Sequence, residues 1–168
     1  MRRACLVFIL AALLLSPFIA AGQVPERGRL RGVLPAEGLD KTSVVVLRDQ
    51  ATLNAHYYLA DETVLGLGNK TEAVLARYRT GSGVTLLLVA AYPSDEEARR
   101  IYERFGKDFF SKGFDGKSPR TLEKLETGDY AAAVLARSVL VVVLEAPDRK
   151  SCEGLIQRAE EKVPALFR

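Results

Sequence analysis

The strongest constraint on the fold of this chain is a pattern that occurs twice. The pentapeptide AVLAR stands at residues 73–77 and again at 133–137. Each copy leads through a turn into a second apolar run, VTLLLVAA at 84–91 and VLVVVLEA at 139–146. A proline and a cap residue then open a helical pattern in both places, at Pro93-Ser94 and Pro147-Asp148. The shared order predicts a duplicated strand-strand-helix unit. Two such units predict an α+β fold, an antiparallel sheet with both helices on one face, as in a ferredoxin-like two-layer sandwich. Successive strand residues point to opposite faces. Leu86 and Leu88 therefore oppose Leu87 and Val89, and Val141 and Val143 oppose Leu140 and Val142. Helices on one face leave a second apolar face to be covered. Either residues 43–63 of the same chain or a second subunit, in a homodimer through that face, must do it.

Local signals support the individual elements. Val74, Ala76 and Tyr78 alternate with Leu75, Arg77 and Arg79, the period of a half-exposed strand, and Gly81-Ser82-Gly83 supplies a permissive hairpin turn. Ser94 followed by Glu97 is a capping box. Beyond it Ala98, Ile101, Tyr102, Phe105 and Phe109 fall on one helical stripe. Gly113 is a stop signal. Residues 130–136 and 139–146 read as the second strand pair, although Arg137-Ser138 is poor turn chemistry. Pro147-Asp148 opens a helix with Cys152, Leu155, Ile156, Ala159 and Val163 on one side, ended near Lys162 by Pro164. Residues 43–47 read as a short strand, and 122–125 as a strand or turn. Residues 49–61 fit two readings: a helix capped by Asp49, or extended chain at Tyr57-Tyr58-Leu59.

The N-terminus is of a different kind. Arg2 and Arg3 precede an unbroken apolar run at 5–15, then Ser16-Pro17 and the small residues Ala20-Ala21-Gly22. That is the order of a secretory signal peptide spanning residues 1–22. Residues 4–21 are nearly long enough to span a bilayer as an uncleaved anchor, but Pro17 and the small residues favour cleavage. The expectation is an exported protein, periplasmic or extracellular, that meets the membrane only through this segment if it is kept. No cysteine follows the apolar run, so a lipid-modified N-terminus is not indicated. Residues 23–41, with their prolines and glycines, read as a linker, and 42–168 as a single α+β domain of a size that buries its own core.

Cleavage removes Arg2 and Arg3, so the formal charge falls from +3 to +1. A near-neutral chain gives no footprint for nucleic acid. The one basic cluster, Arg27-Gly28-Arg29-Leu30-Arg31, reads as a solvated tether. With Cys5 gone, Cys152 stands alone without a disulfide partner and reads as a small buried hydrophobe.

Motifs for chemistry are sparse. In VLGLGNKTE the residues at the P-loop glycine positions are Asn69 and Val64, so a phosphate cradle is not formed; a dinucleotide fingerprint fails at Thr71. Asn69-Lys70-Thr71 matches a glycosylation sequon, a coincidence in a bacterial host. His56 is the only histidine, too few nitrogen ligands for a metal centre, and no cofactor is implied. No serine sits in a nucleophile elbow, and paired carboxylates for glycoside chemistry stay open. The catalytic candidates are His56, Asp61 and Glu62. The ligand-binding candidates are Tyr57, Asn69, Lys70, Arg77 and Tyr92.

The stretches YYLADETVLGLGNKTEAVLARYR and LLLVAAYPSDEEA resemble an uncharacterised family of secreted bacterial proteins, a domain of unknown function. The resemblance covers most of residues 34–166 and is strongest at 57–98; members often carry a further segment before this one. It implies export and a bacterial source, with no known activity to carry over. It draws attention to Tyr57, Asp61, Glu62, Asn69, Lys70, Glu72, Arg77 and Tyr92. The function expected is a non-enzymatic binding or assembly module. The alternative is a small hydrolase or ligand-binding enzyme with a site near residues 57–70.

Overall fold

The computed structural model describes residues 28–59, 63–81, 83–110 and 114–168. The expected signal peptide at residues 1–22, Arg27, Asp61, Glu62 and Gly113 lie outside them. The elements in chain order are β1 (Val45–Leu47), α1 (Gln50–Asn54), β2 (Glu72–Thr80), β3 (Gly83–Ala91), α2 (Asp95–Phe109), β4 (Arg120–Lys124), β5 (Tyr130–Ala136), β6 (Val139–Ala146) and α3 (Arg149–Glu160). Short 3-10 turns occur at Arg29–Val33, Lys41–Ser43 and Val163–Phe167. The strands form one six-stranded antiparallel sheet in the order β1-β2-β3-β6-β5-β4.

The α+β class stands, but the arrangement is not a simple ferredoxin-like one. Each half is a three-strand meander followed by a helix, and the halves meet through their third strands, β3 and β6. The AVLAR copies are the middle strands of these meanders. Val74 pairs with Val89 and Leu75 with Leu88; Val134 pairs with Val141 and Leu135 with Leu140. Ala73, Leu75, Ala133 and Leu135 share one face, and Val74 and Val134 share the other.

The helices, however, lie on opposite faces, which corrects the expectation of both on one. Ile101, Tyr102 and Phe105 of α2 pack with Leu86, Leu88, Leu140 and Val142. Leu155, Ile156 and Ala159 of α3 pack with Leu87, Val89, Val141 and Val143. The cause is a β-bulge in β6. Val143 pairs with Ala132 and Ala146 with Tyr130, so β6 spends one more residue than β5 between those two pairs. The neighbouring strand shows the same slip, since Leu86 opposes Glu145 and Leu87 opposes Val143. An extra residue reverses the alternation of side chains beyond it. The residue before the proline therefore faces α2 in one unit (Tyr92) and α3 in the other (Ala146).

The second apolar face is thus covered from within the chain, by α2 together with Leu47, Leu53, Leu65 and Leu67. This removes the reason to require a second subunit there. The linker expectation changes as well. From Gly28 onward the segment is part of the domain: Leu30, Val33 and Leu34 are buried against the α3 face with Val163 and Leu166. Their spacing of three and four residues gives one apolar side. The buried carboxylate of Glu72 accepts a hydrogen bond from the Gly28 amide, and the Tyr78 hydroxyl donates to the Pro35 carbonyl (3.0 Å).

The short elements follow their local chemistry. Asp49 accepts from the Thr52 amide (2.7 Å) and caps α1, so the helical reading of residues 49–54 holds. Ser94 and Asp148 cap α2 and α3 in the same way. Residues 120–124 are a strand rather than a turn. Pro164 stands at the start of the final 3-10 turn, after α3 has ended at Glu160. No described helix is long and apolar enough to cross a membrane.

Candidate functional site

The residues singled out by sequence fall at two ends of the sheet. Tyr57 donates its hydroxyl to Glu145 Oε1 (3.1 Å) at the β6 bulge. Glu145 pairs with Leu86, and Leu86 with Arg77, so Tyr57 and Arg77 approach one row across the sheet. Asn69 and Lys70 lie in an exposed turn before β2, where the Thr71 amide donates to the Gly68 carbonyl (3.0 Å). Tyr92 lies at that same end and is buried, its hydroxyl donating to the Leu65 carbonyl (2.8 Å). The two groups are separated by most of the length of β2, about 17 Å between Glu72 and Arg77 at ordinary strand rise. His56 is exposed just beyond α1, and Asp61 and Glu62 lie outside the described residues.

Several described side chains of types that serve elsewhere as nucleophiles or acids are occupied here in holding the fold. Burial pushes the Cys152 thiol up to about 12, and the thiol lies in the α3 core. Ser151 donates to the Asp148 carboxylate (2.8 Å), and together with its own amide holds that carboxyl below its ordinary value, which is the α3 cap. The hydroxyls of Tyr78, Tyr92 and Tyr102 donate to the backbone carbonyls of Pro35, Leu65 and Ser118. Tyr57 is raised by burial first and by the Glu145 carboxylate second, so it remains a protonated donor. Among the described residues no group of three or more His, Cys, Asp or Glu side chains is placed to hold a metal ion.

Two clefts flank α3, and neither was marked as a site in the sequence. One, of about 450 Å³, runs between α3 and β4 and includes Arg120, Leu122, Glu153 and Gln157. Its polar rim is largely internally paired: Arg120 with Glu160 (3.6 Å), Glu153 with Arg149 (2.7 Å) and Gln157 with Glu161 (3.0 Å). The β4 edge beside it is blunted by Ser118, whose hydroxyl donates to the Arg120 carbonyl (2.8 Å) and accepts from its amide (3.2 Å). The other cleft, of about 430 Å³, opens at the β5–β6 turn and is lined by Arg137, Val163, Pro164, Phe167 and Arg168 with Glu160 at its side. Arg137 holds φ 55 there, and its guanidinium lies over the Phe167 ring, 5.0 Å from the centroid. The sequence signal for this second cleft was the mismatch at Arg137-Ser138, where a tight turn lacks the usual glycine or asparagine. In comparison with known proteins, no protein-family model and no curated protein matches this chain.

Proposed function

We propose that the mature chain is an exported, non-enzymatic binding module of bacterial origin, built on a duplicated strand-containing unit. One observation carries the reading: the cysteine, the capping serines and the buried tyrosines that could act in catalysis are engaged in packing, caps and carbonyl contacts. The open surface that remains beside α3 is shaped as clefts. Functional groups for binding sit best on turns held by a rigid sheet, and the β5–β6 turn fits that description.

The test is a turnover screen on purified mature protein with ester, glycoside and phosphate substrates. The binding reading expects no turnover above a heat-denatured control. Turnover that Asp61→Ala, Glu62→Ala or His56→Ala abolishes would replace it with a small hydrolase acting near residues 57–70.

A further inference from the structure

We infer that the cleft at the β5–β6 turn binds an oxyanion, a carboxylate or phosphate, carried on an apolar body; this rests on the binding-module reading and names its ligand chemistry. The first observation is backbone geometry. Arg137 is the one non-glycine residue with positive φ among those described (φ 55). A left-handed conformation is unfavourable for an ordinary residue, and glycine or asparagine at this turn would avoid most of that cost. A residue kept in such a conformation against its preference points to a use for its side chain.

The side chain is placed for that use. The Arg137 guanidinium lies over the Phe167 ring, and among the described residues it makes no ion pair. A guanidinium is a planar fork of N–H donors that matches carboxylate or phosphate oxygens two at a time. Arg168 adds a second cation to the lining. Glu160, the acid at the side of the cleft, has its carboxylate 3.6 Å from Arg120, so an outside cation offsets it. The 3-10 turn Arg29–Val33, which carries Arg29 and Arg31, packs on Val163–Phe167. The rest of the lining is apolar, from Val163, Pro164 and the ring of Phe167. The cleft, about 430 Å³, lies within the range of small-ligand sites. Two cations over an apolar floor select an amphiphilic anion over a bare ion or a neutral chain.

The copy at Arg77 sharpens the argument. It lies inside β2, several residues before its hairpin turn, and makes its contacts through the backbone, donating its amide to Ser43 Oγ (2.8 Å) and accepting from the Asp40 amide (3.0 Å). Of the repeated arginines, only Arg137 is at a turn tip against an aromatic ring.

The test is isothermal titration of the mature protein with octyl phosphate, octanoate, inorganic phosphate and 1-octanol. A parallel sedimentation assay uses phosphatidylglycerol and phosphatidylcholine vesicles. The expected result is that octyl phosphate or octanoate binds at least about tenfold more tightly than inorganic phosphate or octanol. Arg137→Gly suits the left-handed turn and keeps the fold, seen as an unchanged circular dichroism spectrum and cooperative melt. It is expected to weaken binding about tenfold or more, the loss of a charge-assisted contact. Phe167→Ala is expected to weaken it in the same direction. Binding undiminished in Arg137→Gly overturns the inference, as does the absence of binding to every soluble probe. Adsorption to phosphatidylglycerol vesicles without affinity for the soluble amphiphiles also overturns it, by showing charge on the surface and no site. Failure in any of these ways leaves the wider binding reading standing, because that reading fails only on observed turnover or on the absence of any bound partner.

Discussion

Cys152 and the buried tyrosines make this fold sensitive to alkali. Burial pushes the Cys152 thiol and the Tyr102 phenol up to about 12, and it raises Tyr78 and Tyr92 as well. These groups are neutral when protonated, so a raised value means that the folded state keeps protons the unfolded chain releases. Their contribution is fully present below the unfolded values, near 9 to 10, and is lost as pH rises toward about 12. The melting temperature should therefore fall steadily from pH 9 to pH 12, measured by circular dichroism, with little change between pH 7 and pH 8.5. A flat profile to pH 11 would show that these groups titrate normally in the fold. Gly106 offers a second test at this scale. In most helix interiors Gly→Ala gains about 1 kcal/mol, but here a Cβ would sit 2.1 Å from the Phe114 ring. Gly106→Ala should instead destabilise by about 1–3 kcal/mol in urea titration. Some residues were readable in advance because their chemistry is local, as with the caps at Asp49, Ser94 and Asp148. Gly106 was not, because its constraint comes from Phe114, in the loop beyond α2.

At the scale of elements, the bulge in β6 decides where α3 goes. Were the same residues in a regular strand, Ala146 would share the face of Leu144, as Tyr92 shares that of Ala90, and the chain would leave toward the face that α2 already covers. One alanine inserted between Glu145 and Ala146 shifts that parity and is therefore expected to abolish cooperative thermal unfolding and near-ultraviolet circular dichroism, whereas deletion of Glu145 leaves Ala146 directly after Leu144, still on the α3 face, and should preserve both. Glu145→Gln keeps the residue count and should preserve both. A folded, cooperative insertion variant would show that α3 docking does not depend on this parity. The strands around AVLAR and helices α2 and α3 were legible because apolar periods of two and 3.6 are written in consecutive residues. The opposed faces were not, because one inserted residue reverses a pattern without altering its composition. Only Glu145, the charge inside VLVVVLEA, hinted at it. Leu30, Val33 and Leu34 were hidden for another reason: glycines and prolines around them resemble a tether, and their partners lie in the sheet and at the far end of the chain.

For the molecule as a whole, a sheet apolar on both faces is closed by one helix on each side, with the segments before β1 and after α3 completing one cover. A second copy is not needed to bury it. The candidate site was less legible than the fold. Polar and aromatic residues at 57–70 drew attention because they are close in sequence, yet the structure sends Tyr57 and Lys70 to different ends of β2. The cleft at Arg137 joins residues about thirty positions apart, brought together only because α3 folds back along the sheet. The most direct measurement of the central claim, that the chain is exported and binds rather than catalyses, is native mass spectrometry of protein released gently from its own host's cell envelope. The account predicts a chain beginning near Gln23 that carries a non-covalent small anion or partner, shed on collisional activation. A bare chain, free of any bound species under conditions that preserve a known protein–ligand complex run beside it, would contradict it.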